Sequence, residues 1–123
     1  MEISKEEFAA LVQEALDTLP EEFAGRLENL SVEVQSLPSP ELMRLYNIRG
    51  RRSLLGLYVG TPLTHKSVMA PWEYPEAIYI FQNNIQRISR SREEVIAQVR
   101  ATVLHEIAHH FGMEDDELDE IGY

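Results

Sequence analysis

The 123 residues contain no cysteine, which excludes disulfide bridges and thiolate metal sites and fits a reducing compartment. No apolar run is long enough to cross a bilayer as a helix, so no membrane role is expected. The opening residues Met1-Glu2-Ile3-Ser4-Lys5-Glu6-Glu7 are charged and lack the apolar stretch of a signal peptide, which points to the cytoplasm. Basic residues are scarce: 11 against 21 acids, for a net charge of −10. The deficit is uneven. Residues 1–35 carry nine acids and two bases, residues 36–100 five acids and nine bases, and residues 101–123 seven acids and no base. An acidic chain is a poor match for phosphate, so a nucleic-acid partner is not expected. The basic middle, with Arg44, Arg49, Arg51 and Arg52, reads either as a solvated loop or as an anchor for an acidic partner. The length suits one domain, residues 1–123, with a modest core.

Histidine is also rare, with four in the chain, yet three fall within six residues: His105-Glu106-Ile107-Ala108-His109-His110, followed by Phe111-Gly112-Met113-Glu114-Asp115. Proline and glycine are missing from Ser91 to Phe111, and Val95, Ile96, Val99, Val103 and Ile107 recur at helical spacing. Ser91 with Glu93 and Glu94 supplies an N-terminal cap. The motif is therefore expected in the last turns of a helix. His105 and His109, four apart, share a face and can converge on one ion. Glu106 lies about 100° around the axis, badly placed to be a ligand beside both imidazoles but well placed to act as a base on water at the ion. His110, by the same rotation, is expected to be a structural side chain.

A catalytic zinc site has three protein ligands and an open position. Were the helix to continue, residue 115 would lie about 9 Å beyond His109 along the axis, so the chain must turn first. Gly112 permits that turn. Asp115 is then the preferred third ligand. Glu114, Asp116 and Glu117 are close rivals, and His65 is a weaker one. Oxyanion stabilisation has five candidates: Tyr58, Tyr74, Tyr79, Tyr123 and His65.

Elsewhere, Ser4 to Leu19 reads as an amphipathic helix burying Phe8, Leu11, Val12, Ala15, Leu16 and Leu19, capped by Ser4 with Glu7. Glu21 to Leu27 suggests a second short helix. Leu30 to Gln35 alternates with period two, as a strand does. Pro38-Ser39-Pro40 turns into a helix over Glu41 to Tyr46. Leu54 to Val59 and Ala77 to Gln82 are further strands. Between them, the proline-punctuated stretch from Gly60 to Pro75 is irregular, with Trp72 and Tyr74 as a lid, a cleft wall or cover for the core. The fold class is α+β: a small sheet of about three strands with an N-terminal helix and the motif helix packed on it.

The pattern H-E-x-x-H-x-x-G-x-x-D resembles that of the zincin metallopeptidases. It is closest to the metzincins, with aspartate for the usual third histidine, a variant shared by snapalysin-type peptidases. Most of the chain resembles the small bacterial minimal-zincin family of predicted metallopeptidases. The likeness runs through Leu19-Pro20, Pro38-Ser39-Pro40-Glu41-Leu42, Leu55-Gly56-Leu57-Tyr58, Ala77-Ile78-Tyr79-Ile80-Phe81 and the motif. It implies one zinc ion held by His105, His109 and Asp115, Glu106 as catalytic base, and peptide or protein substrates. It also implies an edge strand that pairs with extended substrate, for which Leu54 to Val59 is the candidate. Gly56 there signals either a close backbone approach or a bulge. Metzincins carry a methionine turn after the third ligand, whereas Met113 precedes Asp115, so the floor under the metal is expected from elsewhere. Two other readings carry weight: a non-catalytic binding module of zincin fold, and a metal hydrolase acting on RNA. Small bacterial rRNA-maturation metalloproteins share the histidine spacing and the glycine. They have histidine where Asp115 stands and lack the glutamate after the first histidine.

Overall fold

The computed structural model describes residues 2–25, 27, 30–60 and 77–110. Helix α1 (Lys5–Asp17) opens on Ser4, whose hydroxyl accepts a bond from the Glu7 amide at 3.0 Å. It ends at Thr18, which caps the Ala15 carbonyl at 2.9 Å. A short α2 (Glu21–Ala24) follows Pro20 and buries Phe23. Strand β1 (Ser31–Gln35) leads to α3 (Pro40–Leu45), capped by Ser39 on the Leu42 amide at 3.1 Å. Strands β2 (Gly56–Val59) and β3 (Ala77–Phe81) complete a three-stranded sheet ordered β1-β3-β2. Helix α4 (Gln82–Ile88) leaves β3 without a break, and α5 (Arg92–His110) is the motif helix.

The sheet is mixed. β1 runs parallel to β3, Ser31 opposite Ala77 through Gln35 opposite Phe81. β2 runs antiparallel to β3, Gly56 opposite Ile80 through Val59 opposite Ala77. The central β3 is buried along its whole length, which explains its unbroken apolar run Ala77-Ile78-Tyr79-Ile80-Phe81. Its two faces serve two cores. Ile78 and Ile80 pack with Phe8, Leu11, Val12 and Ala15 of α1 and with Val95, Val99, Val103, Leu104, Ile107 and Ala108 of α5. Ala77, Tyr79 and Phe81 pack on the other side with Leu42 and Val59.

The α+β class, the three strands and both long helices agree with the sequence reading. Helix α4 does not: the sequence pattern closes a strand at Gln82 and predicts nothing helical after it. The α4 sequence, QNNIQRI, buries a single apolar residue, Ile85, and its N-cap Phe81 makes no side-chain capping bond. Tertiary hydrogen bonds hold it instead. The Asn83 amide donates to the Ser36 carbonyl at 3.1 Å. Buried Asn84 donates to the carbonyls of Arg51 at 2.9 Å and Leu54 at 2.6 Å, tying down the loop that enters β2. Gln82 donates to the Ile3 carbonyl at 3.2 Å.

Two polar links join the long helices. Glu7 pairs with Arg92, and Arg100 donates twice to the Thr18 hydroxyl, at 2.9 and 2.7 Å. Glu7 is thus drawn to α5 rather than back to the Ser4 amide. No described helix is long and apolar enough to cross a membrane.

Candidate metal centre

Helix α5 begins at Ser91, whose hydroxyl accepts from the Glu94 amide at 3.1 Å, and the Glu94 carboxylate reaches back to the Arg90 amide. The cap and the 0 % exposure of Val95, Val99, Val103, Leu104, Ile107 and Ala108 fix both the start of the helix and its rotation against the sheet. That rotation determines where the motif points. With Ile107 and Ala108 turned into the core, His105 and His109 are exposed and Glu106 is half-buried.

The two imidazoles lie one turn apart, with ring centroids separated by 6.4 Å and planes inclined by 68°. His105 Nδ1 sits 2.8 Å from the Ala101 carbonyl oxygen. A carbonyl only accepts, so Nδ1 is the donor in this contact and Nε2 is the nitrogen that the neutral ring would offer to a metal. Two imidazoles sharing one tetrahedral ion at about 2 Å would place their centroids roughly 5 Å apart. Closing from 6.4 Å takes a small side-chain rotation, which exposed rings make freely. The residues present therefore fit a borderline-soft divalent ion such as zinc.

Glu106 points the other way, onto β2. Its Oε1 accepts a hydrogen bond from the Tyr58 amide at 2.8 Å. Strand geometry explains why that amide is available. The Phe81 amide donates to the Leu55 carbonyl at 3.0 Å, so Leu55, Leu57 and Val59 turn their backbone groups toward β3. Gly56 and Tyr58 turn theirs to the outer edge, and no described strand pairs with that edge. Burial raises the Glu106 carboxyl above the ordinary carboxylate range, partly offset by the Tyr58 amide and then by His109 and His105. A carboxyl moved in this direction is better matched to taking and returning a proton near neutral pH.

The structure thus brings His105, Glu106 and His109 together as their spacing predicts. Asp115, Glu114, Asp116, Glu117, His65 and Gly112 lie outside the described residues, as do Trp72, Tyr74 and Tyr123. The same holds for the His110 side chain. Among the described residues no cluster of three metal-binding side chains occurs. Tyr79 belongs to the face of the sheet opposite α5, packed with Leu42 and Phe81, which removes it from the oxyanion candidates. Its hydroxyl pKa is raised by burial, and by Glu33 and Tyr46 on that same side. Tyr58 packs on the α5 side.

Two partners of the motif are absent from the sequence reading, and only one of them is within its reach. The Ala101 carbonyl follows from helix geometry once His105 is known, because an i−4 carbonyl lies beside the ring. The Tyr58 amide has no side-chain signature; Gly56, two residues earlier, is the available clue. A cavity of about 550 Å³ lies away from the motif, lined by Ile3, Gln35, Gln82 and Gln86 among others and by no residue of α5. Gln82 and Gln86 bond to the Ile3 backbone and to each other. Nothing there pairs a base with a nucleophile or metal donors.

No curated protein matches the chain. A solved structure of a conserved hypothetical protein from Thermus thermophilus matches with a TM-score of 0.58 and 23 % identity, covering 89 % of this chain and 94 % of that one. At that identity the likeness establishes a shared fold. The sequence signature of the zincin-like metallopeptidases matches residues 27–123, from before β1 through the histidine motif. With the paired histidines and the glutamate between them at the end of α5, the chain belongs to the zincin-like metallopeptidase family.

Proposed function

We propose that this protein is a zinc-dependent peptidase of one domain, acting on peptides or proteins in the cytoplasm. Glu106 is its general base, and His105, His109 and Asp115 hold the ion. The observation that carries the reading is the division of labour on α5. His105 is held through Nδ1 by Ala101, so that its neutral ring offers Nε2, while Glu106 is turned off the histidine face and held by the Tyr58 amide. A structural helix with incidental histidines needs neither arrangement.

Zinc bound there would polarise the scissile carbonyl and make a water molecule acidic enough to lose a proton near neutral pH. Glu106 accepts that proton and returns it to the leaving amine. Its half-buried setting, which lifts its affinity for the proton, supports both transfers. The outer edge of β2 runs beside the motif; its Tyr58 amide is taken by Glu106, and its Gly56 backbone groups would pair with an extended substrate. Tyr58, on the α5 side of the sheet, is the described tyrosine best placed to steady the oxyanion.

The test is Glu106→Gln. The variant should hold zinc as the parent does and lose hydrolysis of casein or a denatured protein by about 10²–10⁴-fold. Parental activity in the variant would remove Glu106 as the base. Metal-dependent cleavage of RNA, with proteins left intact, would replace the peptidase reading with that of an RNA hydrolase.

A further inference from the structure

We propose that Gly56 is a positioning residue for Glu106: by letting β2 lie close against Thr102 of α5, it sets the Tyr58 amide where it holds the Glu106 carboxylate. This rests on the reading of Glu106 as the base and extends it to a residue that touches neither metal nor substrate.

The two contacts between β2 and α5 are in register. Thr102 and Glu106 are four apart on the helix, so both face the same way, about 6 Å apart along the axis. Gly56 and Tyr58 are two apart on the strand, about 7 Å. Gly56 therefore meets Thr102 where Tyr58 meets Glu106. The first contact is tight. A Cβ on Gly56 would lie 2.4 Å from Thr102 Cγ2, 3.0 Å from the Tyr79 carbonyl oxygen and 3.5 Å from Ile80 Cδ1. Ordinary carbon contacts begin at roughly 3.5 Å, so about 1 Å must be found.

Neither neighbour can give it. The Thr102 hydroxyl donates to the Gln98 carbonyl at 2.7 Å, which fixes the rotamer and aims Cγ2 at β2. Val99 and Val103, flanking Thr102, are fully buried and pin the helix. β3 is buried along its length between two cores. The element that can move is β2, which among the described residues is bonded to the sheet on one side only. Its displacement carries the Tyr58 amide away from Glu106. A bond of 2.8 Å that lengthens by about 1 Å is no longer a hydrogen bond. The ladder from Gly56 to Val59 pairs without interruption, so the glycine marks a close approach rather than a bulge.

Amide hydrogen exchange at Tyr58, read by NMR on the zinc-loaded full chain, tests this without a substrate. Glu106→Ala should speed Tyr58 exchange by at least about tenfold, because that amide faces away from β3. Gly56→Ala should do the same while the amides of Ile78 and Ile80 stay protected and zinc stays bound. Gly56→Ala/Thr102→Ser, which removes Cγ2 and keeps the hydroxyl, should restore most of the protection. Wherever the parent hydrolyses a substrate, Gly56→Ala should lower kcat with KM little changed, and the double variant should regain kcat. If Gly56→Ala does not fold, Thr102→Ile crowds the seam from the helix side and should show the same loss at Tyr58. Parental exchange at Tyr58 in a folded Gly56→Ala or Thr102→Ile protein overturns the proposal, as does a double variant no better than Gly56→Ala. A parent inert toward every substrate would sink the peptidase reading, while the exchange pattern would still decide the seam.

Discussion

At the scale of single residues the site is a competition over one carboxyl. Burial raises the Glu106 pKa above its ordinary 4.5, and the Tyr58 amide and the two histidines pull it partway back. In metal-free protein the native state therefore holds this proton more tightly than the unfolded state does. The contribution of this carboxyl to stability is full below pH 4.5 and falls as pH rises through the raised native value, because the charged form is costlier folded than unfolded. Glu106→Gln cannot ionise and keeps an oxygen to accept from Tyr58. Metal-free Glu106→Gln should then melt above the parent at pH 7, and the gap should close as pH drops below 4.5. Thermal melts across that range check it; a parent that melts higher at pH 7 would mean that the charged carboxylate is favoured where it sits. Elsewhere, Asn84 shows a buried polar side chain used as a clamp, holding the Arg51 and Leu54 carbonyls. Asn84→Ala should cost about 1–3 kcal/mol in urea denaturation, because it removes the donor shared by two part-buried carbonyl bonds.

At the scale of elements, α5 is the most legible part of the chain. Its cap at Ser91, its apolar stripe and its histidine pair all point to one helix in one orientation, and the structure has that helix. Ile107→Ala, one residue from Glu106 and fully buried, should cost about 2–5 kcal/mol. Ser91→Ala should cost about 1 kcal/mol, with both measured by chemical denaturation. Helix α4 is illegible for a physical reason. Periodicity reports burial, and α4 buries two polar side chains, Gln82 and Asn84, beside Ile85. Strand β2 is partly legible. Its existence and edge position follow from residues 54–59, but whether Gly56 marks a bulge or a close approach depends on Thr102, 46 residues away. Local patterns do not carry such pairings.

At the scale of the whole molecule, the three described strands serve two cores because the central one is shared. β3 gives one face to the α1–α5 core and the other to the Leu42 cluster, so five residues serve two hydrophobic layers. The motif helix is fastened to the first layer and reaches the sheet edge through Gly56 and Tyr58. The two histidines are thus exposed on a rigid support while the carboxylate between them is tucked against the strand. The charge distribution agrees with a cation site: residues 101–123, which hold the motif, carry seven acids and no base. The central claim is that His105 and His109 bind a metal ion. Thermal melts of metal-free protein with added zinc, run beside His105→Ala and His109→Ala, test it most directly. The parent should gain stability that saturates at one ion per chain, by about 2.7 kcal/mol at a free zinc concentration of roughly 100 times Kd. Each alanine variant should lose that gain. A parent that neither binds zinc nor melts higher in its presence would contradict the account.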